Sequence, residues 1–311
     1  MLPKVSVIIA ARNEEKVIGS TLSHLTKVDY PKDKLEIFVV VDGSSDRTAE
    51  IARSFPDVKV IEQKEPRRCK AEALNAVIPL TTGEIIAVFD ADAIVHPCAI
   101  RAAVKHFENE KVLAVTGPHE SYKCNDWVSK ASAVEASIRN FAVEFANKLN
   151  FDAALDGSNL YVRKRILEAI GMFDTETMLE DLTLTINIST LKDREKIIYE
   201  PKAVVYQQEP NGVRNFMKQR YRWARGFLRV LKKYKHIDGI KLWIFVFLLL
   251  IPISSYYTFF TFMTIKRGRA ELKKYVPYWI TIAPLYLFVF FRAMIHEQFG
   301  KDFKWFKTPR V

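Results

Sequence analysis

Apolar residues along this chain come in short β-branched blocks that alternate with stretches of helical spacing. Residues 5–10 form an apolar block broken only by Ser6, and 14–27 returns Val17, Ile18, Leu22 and Leu25 at helical intervals, which predicts a strand and then an amphipathic helix. The pattern repeats with a strand at 37–41, a turn at Asp42-Gly43-Ser44-Ser45-Asp46 and a helix at 48–55. Strands at 58–61 and 84–89 flank a helix at 71–77. Further on, the spacing predicts a helix over 125–148, a loop and strand after Gly157, a helix from Asp181 and a basic helix over 213–235. Alternating strands and helices predict an α/β fold with a mostly parallel sheet covered on both faces. No internal repeat is present.

Two later stretches differ in kind. Residues 242–265 are 24 residues without a charge, long enough to cross a bilayer as a helix. Residues 275–295 form a second such stretch, with Arg292 near one end. Trp243, Tyr256, Tyr257, Tyr278 and Trp279 sit where interfacial aromatic anchors are expected. The organisation expected is therefore a catalytic domain over 1–212, a basic interfacial helix over 213–240 and a membrane module over 241–311.

Charge sharpens this division. Residues 1–213 carry 27 Lys/Arg against 32 Asp/Glu, whereas 214–311 carry 20 against 4. Because the basic excess brackets apolar runs, it points to anionic membrane lipid as the partner and not to nucleic acid. Cys69, Cys98 and Cys124 form neither a CxxC pair nor an even set, which argues against a zinc site or a disulfide framework. The start of the chain lacks the pattern of a secretory signal, so the catalytic domain of an integral cell-membrane protein is expected on the cytoplasmic side.

Candidate chemistry gathers at strand ends. Asp42, the Arg12-Asn13 pair and Asp90-Ala91-Asp92 each follow the last apolar residue of an expected strand, where ligands of open α/β sheets bind. Carboxylates on alternate residues, Asp90 and Asp92, suit a hard cation such as Mg²⁺ or Mn²⁺ together with a diphosphate. Asp42 is placed to accept hydrogen bonds from a base or ribose, and Lys70 to face phosphates. Glu180-Asp181 opens a helix, and a carboxylate there with a raised pKa is a candidate general base. Gln219, Arg222 and Trp223 combine an amide, a guanidinium and an indole on the basic helix, fit to grip a diphosphate and stack on a sugar.

In this order the segments resemble the family 2 glycosyltransferases, the inverting group with the GT-A fold, over roughly residues 3–230. The first strand and its loop through Ala11, Asn13 and Glu14 match the family's nucleotide-contacting segment, as does Val41-Asp42-Gly43-Ser44-Ser45-Asp46. Lys70-Ala71-Glu72-Ala73-Leu74-Asn75 resembles the phosphate-side helix, and Asp90-Ala91-Asp92 the metal motif. Gly157-Ser158-Asn159 resembles the acceptor-side loop, Glu180-Asp181 the base motif, and Gln219 to Trp223 the QxxRW motif of cellulose, hyaluronan and poly-N-acetylglucosamine synthases. Leu179 stands where the family's base motif usually begins with Thr.

The resemblance implies a GT-A, Rossmann-like nucleotide-diphospho-sugar transferase sheet. It also implies a divalent metal, a nucleotide-sugar donor with UDP ahead of GDP, and Asp181 as the base. Together with the membrane module, the expected reaction is transfer to a lipid-linked or saccharide acceptor at the cytoplasmic membrane face. A processive polysaccharide synthase acting as a homo-oligomer is the alternative enzyme, and a non-enzymatic membrane scaffold the alternative from another class.

Overall fold

The computed structural model describes residues 2–191, 196–235 and 276–299. The chain divides into two compact units, residues 1–119 with 146–207 and residues 120–145 with 208–311.

In the first unit, β1 (Val5–Ala11), β2 (Leu35–Asp42) and β3 (Val58–Gln63) alternate with α1 (Ile18–Leu25) and α2 (Thr48–Arg53). After α3 (Lys70–Val77) come β4 (Ile85–Asp90), the short β5 (Ile94–Val95), α4 (Ala99–Val104) and β6 (Val112–Thr116). Beyond β7 (His119–Tyr122) and α5 (Trp127–Lys148), the chain returns through β8 (Asn159–Arg163), α6 (Lys164–Ala169), α7 (Glu180–Ser189), β9 (Lys196–Tyr199) and β10 (Val205–Gln208).

The main sheet runs β3-β2-β1-β4-β8-β6-β9. Its first four strands are parallel, β8 enters antiparallel between β4 and β6, and β6 pairs parallel with β9. Burial on both faces explains the nearly continuous apolar runs: Val5, Val7, Ile8 and Ile9 of β1 and Val39, Val40 and Val41 of β2 are fully buried. Each such side chain contributes about 1.5–3 kcal/mol relative to an exposed one. β1 sends the chain to β2 on one side and has β4 on the other, so the carboxyl ends of β1 and β4 form the topological switch point, where ligands of open α/β sheets bind. Register aligns those ends: Ala11 is opposite Val41, and Ala10 is opposite Asp90.

The helix expected from Glu14 starts later, at Ile18. The N–H groups of Glu14 and Glu15 donate instead to Thr48 Oγ1 and Asp46 Oδ2, at 2.7 and 3.1 Å. Asn13 adopts φ 55°, a left-handed conformation that asparagine tolerates, and its Oδ1 accepts from the Ser45 N–H at 2.8 Å. The β1 loop is thereby clasped to the β2 loop before a helix can begin.

In the second unit, Val128, Ala131, Val134 and Ile138 of α5 pack with Phe216 of α8 (Gly212–Lys233) and Ile282 of α9 (Val276–Gln298). α8 carries eight Lys/Arg and no acidic residue. α9 occupies the second expected membrane segment, with Pro284 inside it. Among the described residues no helix is long and apolar enough to cross a membrane. The first expected crossing, 242–265, lies outside the described residues.

Candidate active site

Asp42 ends β2 and is buried. The tight turn after it depends on Gly43, whose φ is +60° and whose missing Cβ would lie 2.6 Å from the Pro66 nitrogen. Arg12, just past β1, donates through Nη2 to Asp42 Oδ2 and to the Arg67 carbonyl, the latter at 2.6 Å, and through Nε to the Asp42 carbonyl at 2.9 Å. The Arg67 N–H donates to Asp42 Oδ1 at 2.8 Å. Asp42 is thus held rigidly at the crevice. Ala11 and Ala91 are buried in the core cluster, which leaves their backbone as the part available to a ligand.

At the end of β4, Asp90 accepts from Lys70 Nζ at 2.5 Å on one oxygen and from Gln207 Nε2 at 3.1 Å on the other. Asp92 is buried two residues on, and a turn between them is closed by the Ala93 N–H on the Asp90 carbonyl at 3.1 Å. Lys70 opens α3, and its ammonium also donates to the Gly157 carbonyl at 2.8 Å and lies 3.8 Å from Glu180 Oε1. Burial alone would lower its pKa, but the carboxylates of Asp90, Glu180 and Asp181 raise it above the ordinary lysine range.

The N–H of Gly157 donates to Asp181 Oδ2 at 2.9 Å, and that of Leu182 to Oδ1 at 2.8 Å. Burial, then the negative charges of Glu180 and Asp156, push the Asp181 carboxyl up from 3.8 to about 7, against the pull of those two N–H groups. Ser158 donates through N–H and Oγ to Asp156 Oδ1 at 2.9 and 2.6 Å, which fixes the turn carrying Gly157. One hydrogen-bonded chain therefore runs from Asp90 through Lys70 and Gly157 to Asp181. Asp90 and Asp181 are thereby linked through one side chain, that of Lys70, and the backbone of Gly157.

A divalent metal fits this donor set. Asp90 and Asp92 bring two carboxylates to the end of β4, where the Lys70 ammonium neutralises the charge on Asp90. Among the described residues no group of three or more His, Cys, Asp or Glu side chains could hold a metal by itself. Mg²⁺-type ions commonly take one or two carboxylates and complete their shell with substrate phosphates and water, which is what Asp90 and Asp92 offer.

Gln219, Arg222 and Trp223 lie on α8, in the second unit. Their neighbour Arg220 organises this region. It is buried, donates to Gln219 Oε1, to Glu135 at 2.6 Å and to the Tyr286 hydroxyl at 2.5 Å, and its guanidinium stacks 4.2 Å from the Trp223 ring. Burial would lower its pKa, but Glu135 and its other partners raise it.

Arg67, Asp156, Gln207 and Arg220 are absent from the candidates drawn from the sequence. Asp156 had a usable signal, standing directly before Gly157-Ser158. Gln207 had none, since β10 reaches β4 only in three dimensions.

Comparison with known proteins assigns the family. The model of the family described as "Glycosyltransferase like family 2" matches residues 3–226. The chain is 29% identical to the probable glycosyltransferase YdaM of Bacillus subtilis, over 99% of this chain and 87% of that protein. It is 34% identical to the β-monoglucosyldiacylglycerol synthase of Trichormus variabilis, over 72% of this chain, and spans about half (49%) of that relative's length. In fold it is similar to the mannosyltransferase PcManGT from Pyrobaculum calidifontis, solved with GDP-Man and Mn²⁺, with a TM-score of 0.66, 23% identity and coverage of 97% and 89% of the two chains. The mixed, mostly parallel sheet is a GT-A-like α/β fold. The chain belongs to the family 2 glycosyltransferases.

Proposed function

We propose that the protein transfers a sugar, with inversion, from a nucleoside-diphosphate sugar to a lipid-linked acceptor at the cytoplasmic face of a membrane. The observation that carries this reading is the chain of contacts from Asp90 through Lys70 and Gly157 to Asp181. In one displacement, the acceptor hydroxyl gives its proton to the Asp181 carboxylate while its oxygen bonds to the anomeric carbon. The bond from that carbon to the diphosphate oxygen breaks on the opposite face, and the nucleoside diphosphate leaves with the electron pair. A pKa near 7 leaves a useful fraction of Asp181 ionised at neutral pH. Asp42 orients the nucleoside, and Lys70 is within reach of the diphosphate. A Mg²⁺ or Mn²⁺ held by Asp90 and Asp92 would supply positive charge to the leaving diphosphate.

Three features support a lipid acceptor and membrane seating: the 24 uncharged residues 242–265, the eight basic residues of α8, and the exposed apolar side chains of Leu287, Phe288 and Phe291 on α9. A relative of the chain is itself named as a glycolipid synthase. The test is transfer from labelled UDP- and GDP-sugars with Mn²⁺ to a membrane lipid extract, comparing wild type with Asp181→Asn. The variant is expected to bind nucleotide normally and to lose transfer by about 10²–10⁴-fold. Equal transfer by the two proteins would remove Asp181 as the base.

A further inference from the structure

Asp90 meets the ammonium of Lys70 at 2.5 Å on Oδ1 and the amide of Gln207 at 3.1 Å on Oδ2. A divalent cation arriving at this carboxylate would lie within a few ångströms of a fixed positive charge. At that separation like charges repel even under substantial screening. Lone pairs remaining on the carboxylate do not remove the conflict, because it is between the two cations. Lys70 also has somewhere to go: the Gly157 carbonyl at 2.8 Å and Glu180 at 3.8 Å are within reach of its flexible stem without Asp90.

We propose that Lys70 is a latch on the metal position, holding Asp90 in place of a divalent cation until a nucleoside diphosphate arrives to share both positive charges. The proposal rests on the reading of Asp90 and Asp92 as the metal-side carboxylates. Two groups that expel each other at Asp90 become compatible once a diphosphate lies between them, so metal and nucleotide bind cooperatively. Linkage then makes the effect reciprocal: whatever factor the nucleotide adds to metal affinity, the metal adds to nucleotide affinity.

The test is direct titration of the full-length protein with Mn²⁺, followed by the electron paramagnetic resonance signal of the free ion, with and without UDP or GDP. Wild type is expected to bind Mn²⁺ weakly alone, and about 5- to 150-fold more tightly with the nucleotide its crevice accepts. Lys70→Met is expected to bind Mn²⁺ alone about tenfold more tightly than wild type, the change that 1.4 kcal/mol of relieved repulsion produces, and to show a smaller nucleotide effect. Lys70→Arg, which keeps the charge, should bind the free ion as weakly as wild type. Thermal melts establish that each variant is folded. Lys70→Gln, whose amide still serves the Gly157 carbonyl, replaces the Met variant if that one unfolds.

Neutral variants that bind Mn²⁺ no more tightly than wild type overturn the proposal. So does wild type that binds the ion equally well with and without nucleotide, a result that needs no variant. The comparison of Mn²⁺ alone in wild type and Lys70→Met is independent of transfer. The latch can therefore stand or fall separately from the assignment of donor, acceptor or base.

Discussion

Gly157 lies with its N–H on Oδ2 of Asp181 at 2.9 Å, and a Cβ added to it would sit 3.2 Å from that same oxygen. A methyl group would also come within 3.4 Å of Glu180 Oε1. The glycine is needed here for close approach and not for an unusual φ.

Gly157→Ala is therefore expected to displace the Asp181 carboxyl by a few tenths of an ångström while leaving the fold intact. Catalysis falls steeply when a reacting group is misplaced, so kcat should drop by about tenfold or more with little change in melting temperature or in nucleotide Kd. Unchanged kcat would show that Asp181 tolerates displacement and does not take the proton.

The pH dependence follows from the sign of the shift on Asp181. Its carboxyl is raised to about 7, so it is protonated and inactive as a base below that value and ionised above it. Transfer at saturating substrate is expected to rise through about pH 7 and then level off. Glu180→Gln removes one of the charges that raise Asp181, so the acidic limb should move down by on the order of one pH unit. A pH–rate profile for wild type and variant decides this, and an acidic limb unmoved in the variant would show that Glu180 does not tune the base.

Much of the parallel half of the sheet was legible because its buried strands are largely apolar runs with a polar residue at or just past the end, as in Val39-Val40-Val41-Asp42. The other half was not. Residues 112–116 and 196–199 are short apolar runs without flanking helices of clear period, and nothing local shows that β8 runs antiparallel between β4 and β6. The site divides in the same way. Asp42, Asp90 and Asp181 stand at element ends and carry a local signal, whereas Gln207 and Arg220 act through partners 117 and 85 residues away in sequence. Their roles arise from topology, which spacing along the chain does not encode.

Glu36 offers a test of the sheet's lower end, away from the chemistry. Burial works against its ionisation, yet hydrogen bonds from Lys59 at 2.8 Å, the Ser6 hydroxyl at 2.5 Å and the Thr82 N–H at 2.6 Å outweigh it and hold the carboxyl down from 4.5 to about 2. The Gly83 N–H donates in turn to Ser6 Oγ at 2.8 Å, so one carboxylate ties β2 to β1 and to the turn before β4. A depressed folded-state pKa stabilises above the unfolded value, so this contribution is fully present above pH 4.5 and is lost as pH falls toward 2. Glu36→Gln keeps the shape but loses the charge-assisted bonds, at an expected cost of about 1.5–3 kcal/mol at neutral pH. Urea unfolding of both proteins across this range should show the gap narrowing as the wild-type carboxylate is protonated. A gap that stays constant down to pH 2 would mean that shape, and not charge, makes Glu36 fit.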